Sequence, residues 1–128
     1  MEIRRDPRQD RRKERGAAAE EAAARYLSSL GYQVLERNWR CRSGEIDLIA
    51  RDGEVLVFVE VRSRRTGSRF GAAVEAVTPR KIRQVRGVAG VYLSFHPHVA
   101  GPVRFDVVAV TLQSDDSVAD LRHVKAAF

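Results

Sequence analysis

Residues 44–62 read Gly-Glu-Ile-Asp-Leu-Ile-Ala-Arg-Asp-Gly-Glu-Val-Leu-Val-Phe-Val-Glu-Val-Arg and predict a β-hairpin that carries acids inside apolar strands. Asp52-Gly53, between two β-prone runs, is typical of a two-residue type I′ turn. Asp47 and Glu60 lie within those runs. An unpaired carboxylate inside a sheet is costly, so each acid is expected to be neutralised, ion-paired or bound to a metal.

This turn sets the register of the predicted hairpin. It places Asp47 opposite Phe58, and it places Glu45 opposite Glu60. Because alternate residues of a strand share a face, Asp47 and Glu60 become diagonal neighbours with Cβ atoms roughly 7 Å apart. Arg62 lies on that same face. Two carboxylates at this separation can converge on one cation.

Two interpretations of these acids are open. Arginines on neighbouring strands could pair with them, which is how most buried charges are satisfied. The order Asp, then Glu-x-basic, is also the pattern of metal-dependent phosphodiesterases. In those enzymes two carboxylates and the carbonyl after the Glu hold Mg²⁺, while the basic side chain faces the phosphate. A string this short occurs by chance in many sequences, so its context has to decide.

Length and composition predict one soluble globular domain: 128 residues, of which 44% are hydrophobic and 31% charged. No apolar stretch approaches the roughly 20 residues of a membrane span, and the N-terminus lacks the apolar region of a signal peptide. We therefore expect no membrane association and a cytoplasmic location. The single cysteine, Cys41, is interpreted as a small strand residue.

The net charge of +6 is concentrated in two basic clusters that follow the hairpin. The first contains Arg62, Arg64, Arg65 and Arg69, and the second contains Arg80, Lys81, Arg83 and Arg86. Clusters of this kind suit a polyanion such as DNA, although a solvated charged face is the alternative. Residues 1–15 are predicted to be a flexible basic arm, and residues 16–128 a single domain.

The remaining periodicities predict the order α-β-β-β-α-β, a mixed central sheet flanked by helices, in the α/β (α+β) class. An Ala-rich helix is expected over about 17–30, with Glu20 at the edge of its buried stripe and Glu21 on the opposite side. Strands are expected over 32–41 and 103–112, and a helix over 79–94; residues 117–128 fit either a helix or a strand. For Asp106, pairing with Arg is favoured over a part in the site. The three histidines, His96, His98 and His123, are expected to be loop or surface residues.

Several longer strings carry a family resemblance. They are Ala-Glu-x-x-Ala-x-x-Tyr-Leu (19–27), Arg-Asn-x-Arg (37–40), Gly-Glu-Ile-Asp-Leu-Ile (44–49), Leu-Val-Phe-Val-Glu-Val-Arg (56–62), Phe-Gly-x-Ala-x-x-Ala-Val (70–77) and Arg-Phe-Asp-Val-Val (104–108). Together with the Ala-Phe ending they resemble the YraN-like family of bacterial proteins. That family has a restriction-endonuclease-like fold and is related to archaeal-type Holliday-junction resolvases. The resemblance covers about residue 16 to the C-terminus.

The resemblance implies specific roles. Glu20, Asp47 and Glu60, with the Val61 carbonyl, would ligate Mg²⁺ or Mn²⁺, and an activated water would attack a DNA phosphodiester. Basic residues would hold the duplex backbone without reading bases. Related resolvases act as dimers, which makes a homodimer an option, and no small-molecule cofactor is implied. Arg62 departs from the usual terminal lysine and cannot readily release a proton. Two functions therefore remain open: a poorly sequence-specific nuclease acting on junctions, or a nucleic-acid-binding module that works with a partner.

Overall fold

Two helices and five strands make up the computed structural model, which describes residues 6–67 and 77–128. The elements are α1 (Pro7–Ser29), β1 (Gln33–Cys41), β2 (Gly44–Asp52), β3 (Val55–Arg65), α2 (Pro79–Phe95), β4 (Val103–Leu112) and β5 (Val118–Val124). The strands form one sheet in the order β1-β2-β3-β4-β5, with β3 and β4 parallel and the other neighbours antiparallel. This confirms the predicted α+β class and element order. Residues 68–76, which include Arg69 and most of the string at 70–77, lie outside the described ranges.

The two helices cover opposite faces of the sheet. On one face α1 packs through small side chains such as Ala19 and Ala23, which let the helix approach the strands closely, and through Leu27. On the other face α2 packs through Val85, Val88 and other apolar residues. The central strand β3 is apolar on both sides, as its sequence predicts, because each face meets a helix. Neither helix in the described ranges is long and apolar enough to cross a membrane.

Helix α1 begins ten residues earlier than its apolar periodicity predicted. Asp6 caps it by accepting a hydrogen bond from the Arg8 amide, and Pro7 occupies the first turn, where its missing N–H costs nothing. Residues 7–15, assigned from the sequence to the flexible arm, are therefore helical. Gly31, with φ of +89°, follows the helix at the position where a left-handed residue ends it.

The hairpin register differs from the prediction by two residues. Asp52 pairs with Val55, so the loop residues are Gly53 (φ +59°) and Glu54 instead of Asp52-Gly53. A shift by an even number keeps the paired residues, from Leu48 to Asp52 and from Val55 to Val59, on their predicted faces but changes their partners. The prediction that Glu45 lies opposite Glu60 is therefore wrong.

The sheet opens into a fork at the end of this hairpin. Pairing between β2 and β3 reaches only as far as Leu48 and Val59. Beyond that point residues 44–46 of β2 pair with β1, and residues 60–65 of β3 pair with β4, with no pairing between β2 and β3 among the described residues. Asp47 and Glu60 are the first residues past the last pair. The fork therefore leaves Asp47 and Glu60 without a pairing partner across the β2–β3 hairpin.

The C-terminal segment forms an edge strand, β5, and completes a buried polar network around Asp106. This carboxylate is fully buried and accepts two hydrogen bonds from Arg104, at 2.8 and 2.9 Å, and one from the Ala126 amide. His123 Nε2 lies 2.7 Å from Asp106 Oδ2. Burial alone would raise the pKa of Asp106, but the Arg104 and His123 contacts outweigh it and lower that pKa. The predicted arginine pairing is confirmed, whereas the expectation that His123 is a surface residue is wrong.

Candidate functional site

Asp47 sits at the fork with only part of its charge compensated. Its Oδ2 accepts a hydrogen bond from the Val61 amide across the fork at 2.7 Å. Burial and the nearby Glu60 charge raise the pKa of Asp47 from 3.8 to about 7, although the Val61 N–H opposes the rise. At neutral pH this carboxyl group is therefore poised between its neutral and charged forms.

Strand β2 is irregular around Asp47. Strict alternation would put Ile46 on the same face as Leu48, yet Ile46 packs with Ile49 in the α2 layer while Leu48 packs in the α1 layer. The change of face occurs between residues 46 and 49. Side chains from both helices can consequently reach the carboxylate of Asp47.

From α1, Glu20 approaches this carboxylate. Carboxylate oxygens of Glu20, Glu45 and Asp47 lie within 4.8 Å of one another. Glu21, the residue after Glu20, forms ion pairs with Arg25 at 2.9 Å and Arg37 at 2.6 Å. The two consecutive acids of α1 thus have different environments, as their positions on the helix predicted, and only Glu20 belongs to the cluster.

On the other side of the fork, Glu60 is almost completely buried, with 4% of its surface exposed. Its Oε1 lies 3.4 Å from Lys81 Nζ and 3.9 Å from Arg62 Nη1. Its Oε2 is buried and has no hydrogen-bond partner among the described residues. Burial raises the pKa of Glu60, against the opposing effects of Lys81, Arg62 and a hydrogen bond with the Asp47 carboxyl group. A buried oxygen without a donor is costly unless another group binds it.

For two residues of the site, Glu45 and Lys81, the sequence predicted a different position or role. Glu45 was expected opposite Glu60, but it lies opposite Arg40 on β1 and pairs with the guanidinium of Arg40 at 2.7 Å. Its spacing of two from Asp47 was the available signal, since alternate strand residues share a face. Lys81 was assigned only to nucleic-acid contact. Its approach to Glu60 depends on how α2 packs on the sheet, which periodicity alone does not specify.

A cleft of about 510 Å³ opens beside these acids, between β2 and the first turns of α2. Glu45, Asp47, Lys81 and Gln84 are among its lining residues. Gly44, with φ of +139°, lets the start of β2 pass against α2, because a Cβ at this position would lie 2.6 Å from Gln84 Nε2. Any larger residue at position 44 would displace Gln84 and reshape the cleft.

The predicted nucleic-acid-binding residues occupy two places. Lys81 borders the cleft and, with Arg80, a second depression at the start of α2; Arg83 is exposed on the same helix. Arg62 faces Glu60, and Arg65 lies further along β3 in a cavity that it shares with residues of α1. Arg64, between them, is half-buried.

Comparison with known proteins identifies the family. Residues 19–110 match the model of a family described as "Uncharacterised protein family UPF0102". A UPF0102 protein of Frankia casuarinae is 47% identical over 113 residues, covering 88% of this chain and 94% of the relative. One from Kineococcus radiotolerans is 51% identical over 110 residues (85% and 88%), and one from Pelotomaculum thermopropionicum is 47% identical over 119 residues (93% and 98%). The chain therefore belongs to the UPF0102 family, the YraN-like family that its sequence motifs resemble.

Proposed function

We propose that this protein is a divalent-metal-dependent nuclease that hydrolyses phosphodiester bonds in DNA, with little sequence specificity and with branched structures among its substrates. The observation that carries the proposal is the fork itself. There a buried Glu60 oxygen, which has no hydrogen-bond donor within residues 6–67 and 77–128, lies beside Asp47, whose pKa is raised to about 7. Acids held in such surroundings are typical of sites that bind a cation.

The residues at the fork fit a hard cation. Mg²⁺ and Mn²⁺ prefer oxygen ligands, and Glu20, Glu45 and Asp47 offer carboxylate oxygens within 4.8 Å of one another. We assign the cation to Glu20, Asp47 and Glu60, with the Val61 carbonyl, and we add Glu45 as a further carboxylate within reach. When bound, the cation would act as a Lewis acid towards phosphate oxygens and lower the pKa of a water molecule.

The protein residues around the acids supply the remaining requirements of phosphodiester hydrolysis. A water attacks phosphorus and gives up a proton to the solvent, the bond to the leaving sugar oxygen breaks, and that oxygen takes up a proton. Lys81 Nζ is closer to Glu60 than Arg62 is, at 3.4 Å against 3.9 Å. We therefore assign to Lys81 the role that a lysine at position 62 would otherwise have, facing the phosphate as a proton-bearing cation. Arg62 would hold a phosphate oxygen through its guanidinium fork.

A second candidate function is a nucleic-acid-binding module without catalytic activity, acting with a partner. One observation favours it: two basic side chains, Lys81 and Arg62, already lie within 4 Å of Glu60 Oε1 and offset part of its charge without a metal. In such a protein the basic residues would still bind phosphates. The two candidates differ in whether the bound DNA is cut.

Cleavage assays separate the two candidates. The purified protein is incubated with a labelled four-way junction, a flap, a nicked duplex and a single strand, in Mg²⁺ or in Mn²⁺. The matched variants are Asp47→Asn, which keeps an acceptor for the Val61 amide, and Asp120→Asn, which removes a surface acid that pairs with Arg122. A nuclease predicts metal-dependent cleavage by the parent and by Asp120→Asn, and none by Asp47→Asn. If the parent cuts no substrate above the Asp47→Asn background, the nuclease proposal is wrong.

A further inference from the structure

Away from the acids, five arginines line a single cavity of about 210 Å³ at the C-terminal end of β3. Four come from the first half of α1 and one from the end of β3: Arg8, Arg11, Arg12, Arg15 and Arg65. No acid is among the described residues that line it. Arginines brought together in this way repel one another, so the cavity, which we call the arginine groove, suits an anionic ligand.

The arginines in the first half of α1 share one side of the helix. The four arginines follow the spacing i, i+3, i+4, i+7 and therefore share one stripe. Three acids, Asp6, Asp10 and Glu14, repeat every four residues on the other side, roughly 150° away at 100° per residue. Lys13 also lies on the side of the acids, so that side carries both signs, whereas the arginine stripe carries positive charge alone. Arg8 does contact Asp6, but at 3.4 Å and with exposed side chains, so this pair holds the guanidinium weakly.

The two elements that form the groove, α1 and β3, also carry residues of the candidate site, Glu20 and Glu60. On α1, Arg15 and Arg8 lie five and twelve residues from Glu20, about 8 and 18 Å along the helix axis. On β3, Glu60 and Arg65 are five residues apart, roughly 17 Å of strand. The far end of the groove, at Arg8 and Arg65, therefore lies about five base pairs of duplex DNA from the fork, at 3.4 Å per base pair. A duplex whose phosphate lies at the fork can therefore present a second stretch of backbone to the groove.

We infer that the arginine groove binds the sugar-phosphate backbone of a DNA duplex up to about five base pairs from the phosphate at the fork. The inference deepens the proposed function and rests on it for the position of the DNA. Arginine is the suitable residue, because its planar guanidinium donates two parallel hydrogen bonds to a phosphate. The family model begins at residue 19, so the four helical arginines lie outside the matched range, and the groove extends the contact surface beyond it.

Fluorescence anisotropy tests the groove without relying on cleavage. A fluorescein-labelled 20-base-pair duplex is titrated with protein in EDTA at several salt concentrations. The groove variant is Arg8→Gln/Arg11→Gln/Arg12→Gln, whose three positions are exposed on α1. Removing one arginine–phosphate ion pair reduces the slope of log K against log salt by about 0.9, so the slope should become shallower by about 2.7. The single variant Arg65→Gln changes the groove from β3, leaves α1 intact, and should reduce the slope by about 0.9.

The matched control, Lys13→Gln/Arg25→Gln/Lys125→Gln, removes the same charge from exposed positions that do not line the groove. It should change the slope by less than one third of the groove variant's effect. Equal effects of the two triple variants, no binding of the duplex by the parent, or binding of polyglutamate in place of DNA would each overturn the inference. An inactive protein with groove-dependent binding would refute only the nuclease. A cleaving protein with an unaltered slope in the groove variants would refute only the groove.

Discussion

Replacing Asp47 by Asn should stabilise the metal-free protein at alkaline pH, although it removes a residue of the candidate site. The folded-state pKa of Asp47 is about 7, against about 3.9 for an unfolded Asp. The folded protein thus holds this proton more tightly than the unfolded chain. Ionisation of Asp47 therefore destabilises the fold progressively as pH rises from about 4 to about 7. Asn carries no such charge and can still accept the Val61 hydrogen bond.

The size of the effect follows from the rise in pKa. About three pH units correspond to about 4 kcal/mol of unfolding free energy, an upper bound reached above pH 7. Below about pH 4 Asp47 is protonated in both the folded and the unfolded states, so the variant and the parent should differ little there, whereas at pH 5 the difference should already be about 1.5 kcal/mol. The gain in stability should therefore grow with pH and level off near pH 8.

Urea denaturation in EDTA measures this difference. The single tryptophan, Trp39, packs against Tyr92 and reports unfolding by fluorescence. At pH 8 the midpoint of Asp47→Asn should exceed that of the parent by up to about 2 M urea, for an m-value of about 2 kcal/mol/M. The surface control Asp120→Asn should unfold near the parent midpoint at every pH. A variant that is less stable than the parent at pH 8, or a gap that is the same at pH 5 and pH 8, would refute the reasoning.

Three further outcomes follow from the same contacts. Mg²⁺ at 100 times its Kd should stabilise the parent by about 2.7 kcal/mol in thermal melts, and an equal response in Glu60→Gln would exclude Glu60 as a ligand. Lys81→Met should lower the cleavage rate at least about 100-fold, and more than Arg62→Met does; equal rates would contradict the assigned role. Asp106→Asn should cost about 3–5 kcal/mol at pH 7 because Arg104 loses its buried partner. Since the pKa of Asp106 is lowered, the stability that its charge provides is lost as pH falls below about 4 through that pKa. The Asn variant should then approach the parent, and a constant gap down to pH 2 would contradict the assignment.

Local features of the sequence were sufficient for most of the fold. The apolar runs on both faces of residues 55–61 predicted a central strand because a strand buried on two sides has no polar face. Thr78 and Pro79 marked the start of α2 for reasons that act within one turn, namely the capping hydroxyl and the missing N–H. The start of α1 was missed because residues 7–15 have no apolar periodicity, so no core-facing stripe revealed the helix.

The sequence determined that Asp47 and Glu60 would lie inside apolar strands of one hairpin and that Glu20 would face the sheet. These are consequences of residue type and periodicity, which act over a few residues. Only the tertiary structure decided where the hairpin opens, because pairing on its two outer edges, with β1 and β4, pulls the strands apart beyond Leu48. It also brought Lys81 to Glu60 and joined four helical arginines to Arg65. Such contacts link residues far apart in the chain, and they depend on how two helices pack on opposite faces of a sheet.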